Sequence, residues 1–225
     1  MKKIALVLLA GLSFSFAQAQ SAKIGLKGGV NYSNIAGDLQ HEDVYQNKFG
    51  FNGGLTANIG LSSDNFFSLQ PELLFSQKGY QYKDVEYSSL NPLTLGQKVK
   101  STGERNFNYL DLPVLLKVNA GGLYFEGGPQ LSYLLSIRDN TETKYSDGTT
   151  YENWQEIDKD DLAELEIGYA AGLGFQAANG LSLGLRYNGS LSDLAKSDPN
   201  NDELVNARHS AFQLQLGFLI GGGTE

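Results

Sequence analysis

From Lys23 to Ile220 the sequence keeps returning to a period of two. In the segment 164–177, Leu165, Ile167, Tyr169, Ala171, Leu173 and Phe175 fall on one side. Glu164, Glu166, Gly168, Ala170, Gly172, Gly174 and Gln176 fall on the other. A helix would mix these two sets, whereas a strand holds them on opposite faces. The segments 23–32, 48–61, 66–76, 109–118, 122–135, 181–191 and 211–220 behave in the same way. The expectation is an all-β chain of eight strands, each long enough for the roughly 9–11 residues that a tilted strand needs to cross a bilayer.

The connections sharpen this. Tight links at 62–65, 119–122 and 178–180 alternate with long ones at 33–47, 77–105, 136–160 and 192–208. Asn179-Gly180 is a favoured hairpin pair. Long, short, long, short describes an antiparallel up-and-down barrel with one decorated end. In a transmembrane barrel those are short periplasmic turns and four long outer loops. Composition agrees: 27 glycines among 225 residues exceed the usual level of about 7%, and Tyr and Phe number 12 each. The absence of cysteine excludes a disulfide scaffold, an iron–sulfur protein and a thiolate zinc site. A pI near 4.8 argues against nucleic acid as a partner.

Residues 1–19 read as a cleavable export signal. Lys2 and Lys3 precede an apolar run, and Ala17-Gln18-Ala19 supplies the small-x-small cleavage pattern. The run is shorter than the roughly 20 residues of a spanning helix. The mature domain is then 20–225, and loss of the two lysines takes the formal charge from −8 to −10.

The two strand faces make different demands. On the apolar face, Phe67, Phe125, Phe175 and Phe218 lie near the tight turns. Tyr32, Phe51, Phe75, Tyr133, Tyr169, Tyr187 and Phe212 lie nearer the long loops. Together they form two aromatic girdles, one for each bilayer interface. A soluble barrel holding a small apolar ligand would need the reverse arrangement, with polar residues outside. The other face carries Lys27, Glu72, Asp111, Lys117, Glu126, Glu164, Glu166 and Arg186 among glycine, serine and amides. Eight strands leave an interior just wide enough for side chains to fill, and buried charges must be paired. The expected interior is a plugged lumen in which Lys27, Lys117 and Arg186 pair among Glu72, Asp111, Glu126 and Glu166. Tyr109 has inward parity, and Tyr80 and Tyr82 reach the outer face only through a bulge at Gly79. Pro71, Pro113 and Pro129 each remove a ladder donor, which predicts bulges or unpaired positions there.

Catalytic groupings are sparse. His41 lies in the first long loop beside Asp38, Glu42 and Asp43, and His209 lies at the outer end of the last strand. No spacing motif ties either to a nucleophile, so no catalytic residue is assigned. The third long loop is acidic, with Asp139, Glu142, Asp147, Glu152, Glu156, Asp158, Asp160 and Asp161 around the single tryptophan, Trp154. The fourth adds Asp193, Asp198, Asp202 and Glu203. Neither has the ligand spacing of an EF-hand, so both read as solvated loops, and no metal or cofactor is expected.

With a signal segment followed by IGLKGGVNYSNIAG, then YLDLPVLLKV with Tyr109, Leu110, Asp111 and Pro113, then YFEGGPQLSYLL and IGYAAGLGF, the chain resembles the PorT-like outer-membrane β-barrel family. The likeness covers most of the mature chain. It implies an eight-stranded outer-membrane barrel, with some relatives serving type IX secretion and the maturation of exported proteases. It implies no catalytic residue. Many such chains end on an aromatic residue read by the assembly machinery. Here the chain runs on through 221–225, and Phe218 would take that part. The resulting expectation is a non-enzymatic integral outer-membrane protein with a structural or accessory role. Its partners would be outer-membrane lipid, the barrel-assembly machinery, and secretion-system or surface proteins met through the outer loops. A rim enzyme of hydrolase or acyltransferase type and a small-solute channel are the alternatives.

Overall fold

The computed structural model describes residues 22–37, 44–88, 98–159, 162–195 and 206–220. The expected export signal, His41 with Asp38, Glu42 and Asp43, the acids Asp160, Asp161, Asp198, Asp202 and Glu203, and the tail after Ile220 lie outside these residues.

The eight expected strands are all present. They are β1 (Ala22–Ala36), β2 (Tyr45–Gly60), β3 (Phe67–Tyr82), β5 (Lys98–Ala120), β6 (Leu123–Tyr145), β8 (Leu165–Gln176), β9 (Leu181–Ser190) and β10 (Arg208–Ile220). Every neighbouring pair is antiparallel, and β10 returns to β1 while β5 pairs with β6, so the ring closes. Closure removes every free edge within the barrel wall. Two short strands, β4 (Val85–Ser88) and β7 (Thr150–Ile157), arise inside links read from the sequence as loops.

The tight turns owe their shape to a few residues. Gly121 and Gly122, at φ 61° and 96°, join β5 to β6, as a two-residue turn with both central φ values positive requires. At Asn179-Gly180, Gly180 sits at φ 89°. The Asn179 side chain accepts the Leu181 N–H at 3.1 Å.

The three prolines interrupt the ladders without shifting them. Pairing lapses beside Pro71 on the β2 side, beside Pro113 on the β3 side and beside Pro129 on the β5 side, and the register resumes unchanged. The bulges lie elsewhere: between Asn47 and Asn52 in β2, and at Asn108/Tyr109 against β6. The second bulge matters for packing, because it lets Leu134 and Ile137, three residues apart, both be fully buried. Gly79 forms no bulge: Lys78, Gly79 and Tyr80 pair in continuous register with Phe107, Asn106 and Arg105, and Tyr80 is buried inside.

At the long-loop end the barrel grows a projection. β6 pairs with β8 from Leu123 to Tyr133, then with β7 from Ile137 to Lys144. β5 pairs with β4 across Lys98–Ser101 while still paired with β6. The result is a four-stranded sheet, β4-β5-β6-β7, carried by the β5–β6 hairpin. This corrects the reading of the second and third long links as loops.

Candidate functional site: the filled lumen and the outer sheet

The interior is polar and the exterior apolar. Inward residues of β8 and β9 include Glu166, Ser182, Arg186 and Asn188, all buried, while Ile167, Leu173, Leu183 and Leu185 are exposed. That is the reverse of a soluble barrel.

The lower half of the lumen, toward the tight turns, holds an ion cluster. Arg186, 1% exposed, donates to Glu72 at 2.7 Å and 3.0 Å and to Glu126 at 2.8 Å. Lys27 donates to Glu72 at 2.6 Å and lies 3.7 Å from Glu126. Two cations thus share two carboxylates, contributed by β1, β3, β6 and β9. Gln70 donates to both acids, at 2.8 Å and 3.0 Å, which occupies further lone pairs. Such satisfaction is what makes buried charge tolerable, since each unpaired ion would cost several kcal/mol.

Lys117 does not join this cluster through an acid. It donates to Gln176 at 2.6 Å and sits 4.0 Å from the centre of the Tyr124 ring, a cation–π arrangement. Glu126, its register partner, is already engaged by Arg186. Tyr124 in turn needs a floor without side chains. Gly174 and Gly184 are register partners, and a Cβ on either would lie 2.5 Å or less from the Tyr124 hydroxyl. A network of amides completes this half. Asn52 and Gln213 donate to the Asn31 side chain at 2.6 Å and 3.0 Å, and Gln215 donates to Asn52 at 3.0 Å.

Higher up, the partners change. Asp111 pairs with Lys78, both oxygens at 3.0 Å, and with none of the three cations expected from the sequence. Glu166 accepts from the Tyr109 hydroxyl and from His209 Nδ1, the latter at 2.9 Å. His209 also meets Phe107 edge-on, with ring centres 4.8 Å apart. His209 is 3% exposed, so it is no rim residue: the last strand begins at Arg208 and turns His209 inward. Beside it lies a cavity of about 10 Å³ lined by Lys78, Glu166, Asn188 and His209, room for about one water molecule.

Above this level the lumen turns apolar. Ile35, Tyr80, Phe107, Tyr109, Leu134 and Ile137 from the strands pack with Leu162, Leu194, Ala195 and Ala207 from the long connections. Backbone bonds hold those connections across the opening: Ala163 donates to Leu194 and Leu194 to Ala207, each at 2.8 Å.

Glu164, expected inside, is exposed and accepts from the outward Tyr133 at 3.2 Å. The girdle residues all lie on the outward face. Tyr32, Phe51, Phe67, Phe125, Tyr133, Tyr169, Phe175, Phe212 and Phe218 are exposed, and Phe75 and Tyr187 are half-buried. Toward the long loops they touch in two groups: Phe51 meets Phe75, and Tyr187 meets both Tyr169 and Phe212, with ring centres 5.1–6.1 Å apart. Phe49, whose ring is tilted against that of Tyr32 with centres 4.9 Å apart, belongs with them.

On the outer sheet, Arg105 and its register partner Asp139 form a two-pronged pair at 2.7 Å. Asp84 binds Lys100 at 2.5 Å and Thr102 at 2.9 Å, tying the start of β4 to β5. Those two hydrogen bonds, Lys100 first, hold the Asp84 carboxyl below its ordinary value, and the same carboxylate raises Lys100 above its own. Trp154, 58% exposed, and Tyr151, 63% exposed, stand on β7.

A closed antiparallel ring with a polar filling and an apolar, aromatic-lined exterior defines an integral β-barrel of the outer membrane. The chain belongs to the outer membrane protein beta-barrel domain family, whose pattern it matches over residues 16–196. Among solved structures it is similar to Ail, the attachment invasion locus protein of Yersinia pestis, at 12% identity, 88% of this chain, 99% of that chain and a TM-score of 0.43. It is also similar to neisserial surface protein A, at 11%, 88%, 99% and 0.40. The outer membrane protease OmpT from Escherichia coli follows at 11%, 88%, 96% and 0.32. No curated protein matches the sequence.

Proposed function

We propose that this chain is a non-enzymatic outer-membrane barrel with a plugged lumen, which works through what it displays at its outer end. On this reading it is a structural surface protein or an accessory of a PorT-like secretion and maturation system. One observation carries it. Side chains fill the interior in succession, from the Arg186–Glu72–Glu126–Lys27 cluster, through Lys78–Asp111 and Glu166–His209, to the apolar packing of Phe107 and Leu134. A solute path would have to break ion pairs that are buried on every side, at several kcal/mol each. A rim enzyme using His209 is disfavoured, because its ring is enclosed by Phe107, Tyr109 and Glu166.

The test is planar-bilayer conductance of the purified full chain. No steady conductance is expected, and a sustained nanosiemens level would overturn the plugged reading. Full rescue of a deletion phenotype by His41→Ala and by His209→Ala is also expected. Loss of rescue by a variant that still shows heat-modifiable gel mobility would restore the enzyme class. Residues 1–19 serve here as the export signal, so amino-terminal sequencing of the membrane-inserted protein should begin at Gln20. Partners met through the outer loops should appear on crosslinking in outer-membrane fractions.

A further inference from the structure

The barrel wall has no edge, but the outer sheet does. β7 pairs with β6 on one side, and among the described residues nothing pairs with its other side. The hairpin decides which backbone groups are left over. Tyr145 N–H donates to the Thr149 carbonyl at 2.9 Å, and an antiparallel ladder alternates bonded with non-bonded pairs. Tyr151, Asn153, Gln155 and Ile157 therefore turn their N–H and C=O groups toward β6. Thr150, Glu152, Trp154 and Glu156 turn theirs to the open side.

Among the described residues this edge keeps only part of the usual protection, the charge of Glu152 and Glu156. Exposed edges are normally blunted by charged side chains, lysine above all, by proline, by a bulge or by a covering loop. Thr150–Ile157 contains no lysine or proline, its register with β6 runs unbroken, and it has no positive φ. From Thr150 to Glu156 every residue is exposed.

Within the strand the charge is one-signed, while the cations Lys144 and Arg138 stand one strand in, opposite Thr150 and Glu156, and Lys159 follows Asp158. Glu152 and Glu156 flank Trp154 on the same face of the strand, Asp147 lies in the turn above and Asp158 just below. Neither Glu152 nor Glu156 has an ion-pair partner among the described residues. Two copies joined through β7 would set acidic rows against each other, which is destabilising.

We propose that the free edge of β7 is a strand-addition site for an extended, basic segment of another polypeptide at the cell exterior. The backbone of Thr150, Glu152, Trp154 and Glu156 supplies the ladder bonds. Glu152 and Glu156 select lysine or arginine at alternate positions, and the Trp154 ring packs against the stem or cation between them. The inference rests on the reading that the outer end is the working surface, and it names the class of partner that surface takes.

The test uses the full chain in detergent micelles and labelled eight-residue peptides read by fluorescence anisotropy. A peptide alternating Lys and Val is expected to bind. Its counterpart alternating Glu and Val, and a Lys/Val peptide N-methylated at alternate residues, are expected to bind about tenfold or more weakly. Glu152→Pro removes one outward donor without touching the β6 ladder, and should weaken the Lys/Val peptide about as much. The double variant Glu152→Gln/Glu156→Gln keeps the backbone and should erase the preference for Lys/Val over Glu/Val. No binding of the Lys/Val peptide, equal binding of the N-methylated form, or no effect of either variant would overturn the proposal. Conductance separates the two readings: a barrel that stays closed but binds no peptide loses only the strand-addition site.

Discussion

The β5–β6 hairpin passes through two regions that use the same backbone differently. Inside the barrel wall its inward side chains, Asp111, Lys117, Glu126 and Ser132, are buried against other strands and find partners there. In the outer sheet its charges, Lys100, Glu142 and Lys144, pair only with near neighbours and remain open to solvent. In the wall, charge must be satisfied because it is enclosed. In the sheet, charge costs little and is free to meet something else. Substitutions should therefore be expensive in the first region and nearly silent for folding in the second.

The strongest challenge to that contrast is Arg186→Met. It leaves Glu72 and Glu126 sharing only Lys27, and should cost about 3–5 kcal/mol, read as a lower urea midpoint and earlier loss of heat-modifiable mobility. Adding Glu72→Gln and Glu126→Gln should recover part of that loss. No change on Arg186→Met would mean that the lower cluster is solvated rather than enclosed.

Phe107→Ala comes next. It removes the ring packed on Tyr80, Tyr109 and His209, at about 3 kcal/mol. If the apolar upper lumen helps to seal the barrel, this variant should also flicker in planar bilayers where Arg208→Ala, at the exposed start of β10, stays silent.

Lys117→Met sharpens the contrast within the lumen. Its ammonium has Gln176 at 2.6 Å, Gln70 at 3.5 Å and an aromatic face but no direct carboxylate. The loss should be about 1 kcal/mol, well below that of Arg186→Met in the same urea titration. In the outer sheet, Glu152→Pro should alter barrel stability by less than about 0.5 kcal/mol.

The smallest effect is the pH response of β4. Asp84 is held below its ordinary 3.8, so its contribution is present above that value and fades as pH falls through the lowered one. Lys100 is held above its ordinary 10.5, so its contribution is complete below that value and fades as pH climbs past the raised one. Amide exchange in Val85–Ser88 should be flat in pH-corrected protection between these limits and loosen outside them, while the barrel wall is unaffected. Loosening near neutrality would remove the pair from any role in holding β4.

Much of the wall was legible because alternation is local. Leu165, Ile167 and Tyr169 declare their side without reference to any other strand. The ladder gaps beside the prolines follow as directly, from a missing N–H. The lumen partners were legible only as a set of inward charges. Lys78 is hidden in the sequence because β3 continues past Ser76, where the apolar half of the alternation stops and Gln77 and Lys78 look like loop. His209 looked like a rim residue for the same reason: the strand begins three residues before its first obvious apolar position at Ala211. β7 carries polar residues on both faces, and a strand open to water on both faces writes no period into the sequence.

The sequence by itself determined how many strands cross, which face of each is apolar, and which turns are tight, because those are properties of neighbours along the chain. The tertiary structure decided that Arg186 reaches Glu72 across 114 positions and Lys27 reaches it across 45. It also decided that Lys117 is left to Tyr124, Gln176 and Gln70, and that β7 ends as an open edge among the described residues. Those outcomes depend on the stagger between strands around a closed ring. The stagger sets which inward residues stand at the same height, and no stretch of sequence contains it alone.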